Sequence, residues 1–69
     1  MERVLVTSKN LAEVGYDTET EVLEIAFRKG GVYQYFNVPK VMHERLMQAD
    51  SVGTFFNAEI KGHYPEARL

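Results

Sequence analysis

Sixty-nine residues allow one domain, spanning 1–69, and a thin core, because a chain of this size buries only roughly 60% of its unfolded surface. The chain has no cysteine, which excludes disulfide staples, thiolate metal sites, redox dithiols and a thiol nucleophile, and fits a reducing compartment. Its formal net charge of −2 argues against strong phosphate binding by bulk charge, yet residues 1–24 carry two basic and six acidic side chains while residues 25–69 carry six basic and four acidic.

The apolar pattern has period two as far as Val38 and period three to four beyond it. That change predicts an α+β fold: a three- to four-stranded antiparallel β-meander followed by two short α-helices packed on one face. The opening Arg3-Val4-Leu5-Val6 is a candidate edge strand, and Leu11 to Tyr16 is the first strand of the meander. Asp17-Thr18-Glu19-Thr20 supplies turn chemistry. Val22 to Phe27 follows as the second strand, with Leu23, Ile25 and Phe27 alternating against Val22, Glu24 and Ala26. A two-residue turn at Glu19-Thr20 pairs Asp17 with Val22, Tyr16 with Leu23, Val14 with Ile25 and Ala12 with Phe27. Ala12, Val14, Tyr16, Leu23, Ile25 and Phe27 then share one face. The acidic residues from Glu13 to Glu24 fall on turns and the outer face, as a solvated rim that blunts edge-to-edge aggregation.

Arg28 to Gly31 is the second turn, and Val32 to Phe36 the third strand. Its Tyr33-Gln34-Tyr35 triplet sends both tyrosines to one face, and the parity of the turn decides which. A three-residue loop of Lys29, Gly30 and Gly31 pairs Phe27 with Tyr33 and Ile25 with Tyr35, placing both tyrosines with the core. An even loop places them with Glu24 and Ala26 on the outer face. The odd loop is favoured, since such hairpins often end in a left-handed glycine and Gly31 can supply it. Gln34 then faces outward.

Val38-Pro39 ends the sheet and opens a helix to about Ala49, with Pro39 at its first position and Val41, Met42, Leu46 and Ala49 on one side. Ser51 is the natural N-cap of a second helix through Ile60, with Phe55, Phe56 and Ile60 as its apolar side and Gly62 as its stop. The tail from His63 to Leu69 is a candidate return across the sheet. No apolar run approaches the roughly 20 residues of a membrane span. MERVLVTSKN lacks the apolar stretch of a secretory signal, so the expected location is cytoplasmic.

Taken in order, Ser8, Gly15-Tyr16-Asp17, Leu23-x-Ile25-x-Phe27, Gly31-Val32-Tyr33-Gln34-Tyr35 and Val38-Pro39 form a recognisable series. Leu46, Ser51-x-Gly53-x-x-Phe56-Asn57-x-x-Ile60 and Tyr64 extend it. Over residues 3–64 the series resembles the KTSC domain. That family takes its name from the C-terminus of some lysyl-tRNA synthetases and also occurs as a free-standing small bacterial protein. The resemblance implies a small non-catalytic binding module, with RNA or a ribonucleoprotein as the partner by analogy with the synthetase context. It brings no catalytic residues and no cofactor.

RNA-binding sheets stack bases on exposed aromatics and hold phosphates with nearby cations. Tyr33 and Tyr35 beside Arg28 and Lys29 form one candidate set. The stretch from Lys29 to Phe36 is partly like an RNA-binding strand that opens with a cation and glycine, but Gly31 stands where that motif has an aromatic. A second candidate set is Asn57, Lys61, His63 and Arg68 at the end of the second helix, where Asn57 and Lys61 share a face. The competing reading makes both tyrosines core, with their hydroxyls at the rim, and leaves Lys61 solvated. The alternative function is a protein-interaction module with no nucleic-acid role. His43-Glu44-Arg45-Leu46-Met47 begins like the zinc-protease H-E-x-x-H but lacks its second histidine, so no metal site is read and His43 is expected in solvent. Ser8 and Ser51 lack a glycine elbow, and Gly30-Gly31 lacks the helix and Lys-Ser/Thr pair of a phosphate loop, so no enzyme is read.

Overall fold

The strand-forming part of the chain gives four consecutive strands, seen in a computed structural model that describes residues 1–69. They are β1 (Arg3–Leu5), β2 (Leu11–Asp17), β3 (Val22–Phe27) and β4 (Gly31–Tyr35). Helix α1 (Lys40–Gln48) follows, then α2 (Val52–Phe55), which runs on into a π-helical turn over Phe56–Ile60, and a last strand, β5 (Glu66–Arg68). The five strands make one antiparallel sheet in the order β1-β2-β3-β4-β5. The α+β class and the meander stand as expected. The sheet is wider than three or four strands because the tail does not cross it; Glu66–Arg68 adds to its edge, with Arg68 opposite Tyr33.

The β2–β3 register runs as the apolar alternation dictates, with Asp17 opposite Val22, Tyr16 opposite Leu23 and Val14 opposite Ile25. The turn spans four residues, Thr18–Glu21, rather than two. Asp17 closes it: its carboxylate accepts from Glu19 N at 2.9 Å, its carbonyl accepts from Glu21 N at 2.8 Å, and Glu21 takes φ 57°. Further along, Leu11 and not Ala12 faces Phe27, because Ala12 is the extra residue of a β-bulge. The bulge returns the larger side chain to the core, where Leu11 is 1% exposed.

The β3–β4 loop has three residues, Arg28, Lys29 and Gly30, one step earlier than expected. Gly31 opens β4 opposite Phe27, at φ 83°. Ile25 therefore faces Tyr33 and Leu23 faces Tyr35, two residues along from the expected pairs and on the same face. Both tyrosines point toward the helices.

Pro39 is the extended residue flanking α1 rather than its first turn (ψ 151°). Ser51 caps α2, its hydroxyl accepting from Thr54 N at 3.2 Å. Four residues of α-helix overshoot a full turn by about 40°. A turn closed i→i+5, as between Phe56 O and Lys61 N, undershoots it. The two errors cancel, so Val52, Phe56 and Ile60 all stay on the buried side. They meet Leu11, Val14, Leu23, Ile25 and Tyr35 from the sheet and Val38 and Leu46 from the connection and α1.

The outer face corrects the solvated-rim reading. Glu24 is only 9% exposed; it accepts from Gln34 Nε2 at 2.9 Å and lies 3.5 Å from Arg3 Nε, which also meets Glu13 at 3.3 Å. Arg3 gets there by lying across Gly15, where a Cβ would come within 2.8 Å of Arg3 Cγ and 3.0 Å of the Glu2 carbonyl oxygen. No helix is long and apolar enough to cross a membrane.

Candidate functional site

A meander places alternate connections at the same end of the sheet, so the β1–β2 loop and the β3–β4 turn are neighbours. Arg28 ties them: its backbone N–H donates to Asn10 O and its Nε to Ser8 O, each at 2.8 Å. The acidic turn with Asp17, Glu19 and Glu21 lies at the other end, where Val38 N donates to Glu21 O. Lys9, Arg28 and Lys29 thus cluster at one end of the sheet and three carboxylates at the other. Both ion pairs of the molecule belong to Arg3, so these cations carry no carboxylate partner.

Between the cationic end and the π-helical turn lies an open cleft of about 550 Å³. Phe27, Tyr33, Tyr35 and Phe56 make its aromatic wall, and Lys29, Lys61, Asn10, Asn57 and Glu66 its polar border. The aromatics pack edge to face: Phe27 with Tyr33 (centroids 5.6 Å apart), Phe27 with Phe56 (5.5 Å) and Tyr35 with Phe56 (5.3 Å).

The two tyrosines are not equivalent. Tyr35 is 2% exposed, and burial, reinforced by the Glu66 carboxylate and then by Tyr33, pushes its phenol up to about 12. It stays neutral and belongs to the core. Tyr33 is half-buried, with the Arg68 guanidinium 5.7 Å from its ring centre. Gly31 makes room for that cation, since a Cβ there would sit 3.3 Å from an Arg68 Nη.

Five of the eight expected binding residues, Lys29, Tyr33, Tyr35, Asn57 and Lys61, line this one cleft. Members of both candidate sets border this one cleft, because β4 runs beside the end of the helical layer. Arg28 lines a neighbouring cleft instead, and His63 and Arg68 line neither. Asn10, Phe27, Phe56 and Glu66 escape the sequence reading. The two phenylalanines sit at core-periodic positions, and nothing in the sequence marks that one edge of each meets a cleft.

His43 corrects its expectation too. It is half-buried and stacked on Tyr16, rings 4.6 Å apart and 9° from parallel, because the Tyr16 hydroxyl donates to Val38 O and holds that ring beneath α1. Burial lowers the His43 pKa against a smaller opposing pull from Glu44; burial, then Glu21 and Asp17, raises the Tyr16 phenol. No group of three or more His, Cys, Asp or Glu side chains converges as a metal site would require.

Together the sheet, its helical layer and the cleft define a small α+β module that presents an aromatic floor under a cationic border. The KTSC domain model matches residues 7–64, and the chain belongs to the KTSC domain family. A crystal structure of a KTSC domain protein from Yersinia pestis superposes with TM-score 0.97 at 40% identity, covering 99% of this chain and 96% of that one. An uncharacterized protein of Stutzerimonas stutzeri is 42% identical over 70 residues, 100% of this chain and 99% of the relative. Lysine–tRNA ligases of Nostoc punctiforme (41%) and Trichormus variabilis (37%) match over 59 residues, 86% of this chain but only 10% of each ligase.

Proposed function

We propose that the chain is a non-catalytic module that binds single-stranded RNA, alone or within a ribonucleoprotein, through the aromatic cleft. The observation that carries this reading is the pairing of a partly exposed Tyr33, backed by Phe27 and Phe56, with the unpaired cations Lys29 and Lys61 on the same cleft. Bases stack on such a floor while cations meet the phosphates. The similarity to a tenth of two lysine–tRNA ligases, enzymes whose name makes tRNA their substrate, supports RNA as the ligand class. The net charge of −2 is no obstacle, since the acidic turn lies at the far end of the sheet. The absence of cysteine fits a cytoplasmic setting.

The test is the salt dependence of oligoribonucleotide binding. Each phosphate contact adds about 0.7 to the slope of log K against log salt, so Lys29→Ala and Lys61→Ala should each lower the slope by about that amount. Binding that is indifferent to salt refutes the phosphate contacts. A second reading, a protein-interaction module, draws on the edge strand β1, whose Leu5 is 78% exposed and Val4 54%. It predicts a partner captured on β1 that survives nuclease treatment and is lost in Leu5→Lys.

A further inference from the structure

A second cleft, of about 610 Å³, adjoins the first, and no apolar residue lines it. Asn10 and Asn57 line both clefts, so the two share a border. The second one gathers Lys9, Arg28 and the hydroxyl residues of the β1–β2 loop and of the start of α2, with Asp50 as its single acid. Its groups are held ready for an anion. Arg28 spends its Nε on Ser8 O and its backbone N–H on Asn10 O, which fixes the side chain and leaves the two Nη amines available. Ser8 Oγ accepts from Asn10 N and Leu11 N, both at 3.3 Å, so its own proton is free to donate outward. Neither Lys9 nor Arg28 has an ion-pair partner, since Arg3 makes both ion pairs of the molecule.

An aromatic-floored cleft joined to a wholly polar, net cationic one has the two-part chemistry of a nucleotide. We propose that the clefts form one bipartite site for single-stranded nucleic acid. A base lies on Tyr33 and Phe27, with the buried Phe56 behind them, and an adjoining phosphate enters the polar cleft against Arg28, Lys9 and the Ser8 hydroxyl. The Asn10 and Asn57 side chains sit at the junction, where amides can meet a sugar or a base edge. The proposal deepens the RNA reading and rests on it. It adds that Arg28, which stands apart from the aromatic cleft, is part of the binding surface, and that the bound strand runs from the π-helical turn toward the β1–β2 loop.

Amide chemical shifts of the whole chain, followed during titration with three probes, test this. Adenosine should move Lys29, Tyr33 and Lys61; inorganic phosphate should move Ser8, Lys9, Arg28 and Thr54; a hexaribonucleotide should move both groups at much lower concentration. Arg28→Gln and Lys9→Gln should each weaken hexanucleotide binding about tenfold at about 50 mM salt and lower its salt slope by about 0.7. Asp50→Asn removes the opposing charge and should tighten binding a few-fold, a change that a damaged fold does not produce. Hexanucleotide shifts confined to the aromatic cleft, with affinity and slope unchanged in all three variants, would overturn the bipartite site and leave the RNA reading standing. No shift at either cleft with any probe would overturn both. Equal affinity for an acidic hexapeptide would replace nucleic acid by a protein partner and overturn the proposal.

Discussion

Replacing Tyr33 and Tyr35 by alanine, one at a time, separates a residue that builds the domain from one that the domain presents. Tyr35 is almost wholly enclosed and packs edge to face on Phe56. Its removal leaves a cavity in the core beside Phe56, and losses of large aromatic core side chains run to about 3–5 kcal/mol. A domain of this length has only about 3–10 kcal/mol in total. Tyr35→Ala should therefore be largely unfolded, or so close to it that no native baseline is seen in urea. Tyr33 keeps only part of its surface in water, which lowers its transfer term to about 1–2 kcal/mol. The dent left behind fills with water, so no cavity term is added. Losing the Phe27 edge contact and the exposed Arg68 stack brings the total to about 2 kcal/mol. With a urea slope near about 1 kcal/mol/M, Tyr33→Ala should lower the midpoint by about 2 M and still fold in buffer. Circular dichroism in urea reads both variants, with Tyr35→Phe as a control that keeps the ring. Equal destabilisation by the two alanine variants, or a Tyr35→Ala protein within about 1 kcal/mol of the parent, would refute the assignment of one tyrosine to the core and the other to the cleft.

His43 titrates against its burial beside Tyr16. Its folded pKa lies below its unfolded value near 6.5, so the unfolded chain binds more protons between the two. The neutral stack contributes fully above about pH 6.5 and loses stability as pH falls through that value. Melting temperature should drop between about pH 7.5 and 5 and do so less in His43→Gln; a parallel drop in both proteins would remove His43 as the cause. Gly15→Ala should destabilise by about 1–2 kcal/mol, because the new Cβ meets the Glu2 carbonyl oxygen as well as the movable Arg3 side chain. An unchanged urea midpoint would show that β1 shifts freely.

Which face each strand buries was legible because a half-buried strand leaves parity as its only freedom, whereas the β3–β4 pairing lies two residues from the expected one. Two- and four-residue turns after Asp17 give the same pairs, and any odd loop after Phe27 puts Tyr33 and Tyr35 on the core side. The bulge at Ala12 was not legible, since Leu11 and Ala12 are both apolar and only packing against Phe27 chooses the larger. Glu66–Arg68 carried no signal either: three exposed, mostly charged residues become a strand only because β4 offers an unpaired edge. Glu24 read correctly as outward and wrongly as solvated. Its burial depends on Arg3 crossing a glycine, which is a contact between residues far apart in the chain. Most of the candidate residues meet at one cleft, but the sequence offers them as two sets. Joining Lys29 and Tyr33 to Asn57 and Lys61 needed the placement of the helical layer against β4.

The charge asymmetry between the halves of the chain acquires its meaning from topology. In a meander the connections alternate ends, so a sequence that loads one turn with acids and the flanking loops with cations builds an axial dipole whatever its net charge. Here Asp17, Glu19 and Glu21 occupy the turn at one end, and Lys9, Arg28 and Lys29 the two connections at the other. Arg3, the remaining cation of the first half, is consumed by Glu13 and Glu24 on the outer face. That pairing removes two acids from the field and leaves the cationic end opposed only locally, by Asp50 and Glu66. An anionic strand approaching this molecule is turned toward the end that holds both clefts, and the steering fades beyond a Debye length of about 10 Å at 0.1 M salt. The quantity that steers an anion toward this molecule is thus the distribution of charge along the strand axis, and the overall value of −2 says little about it.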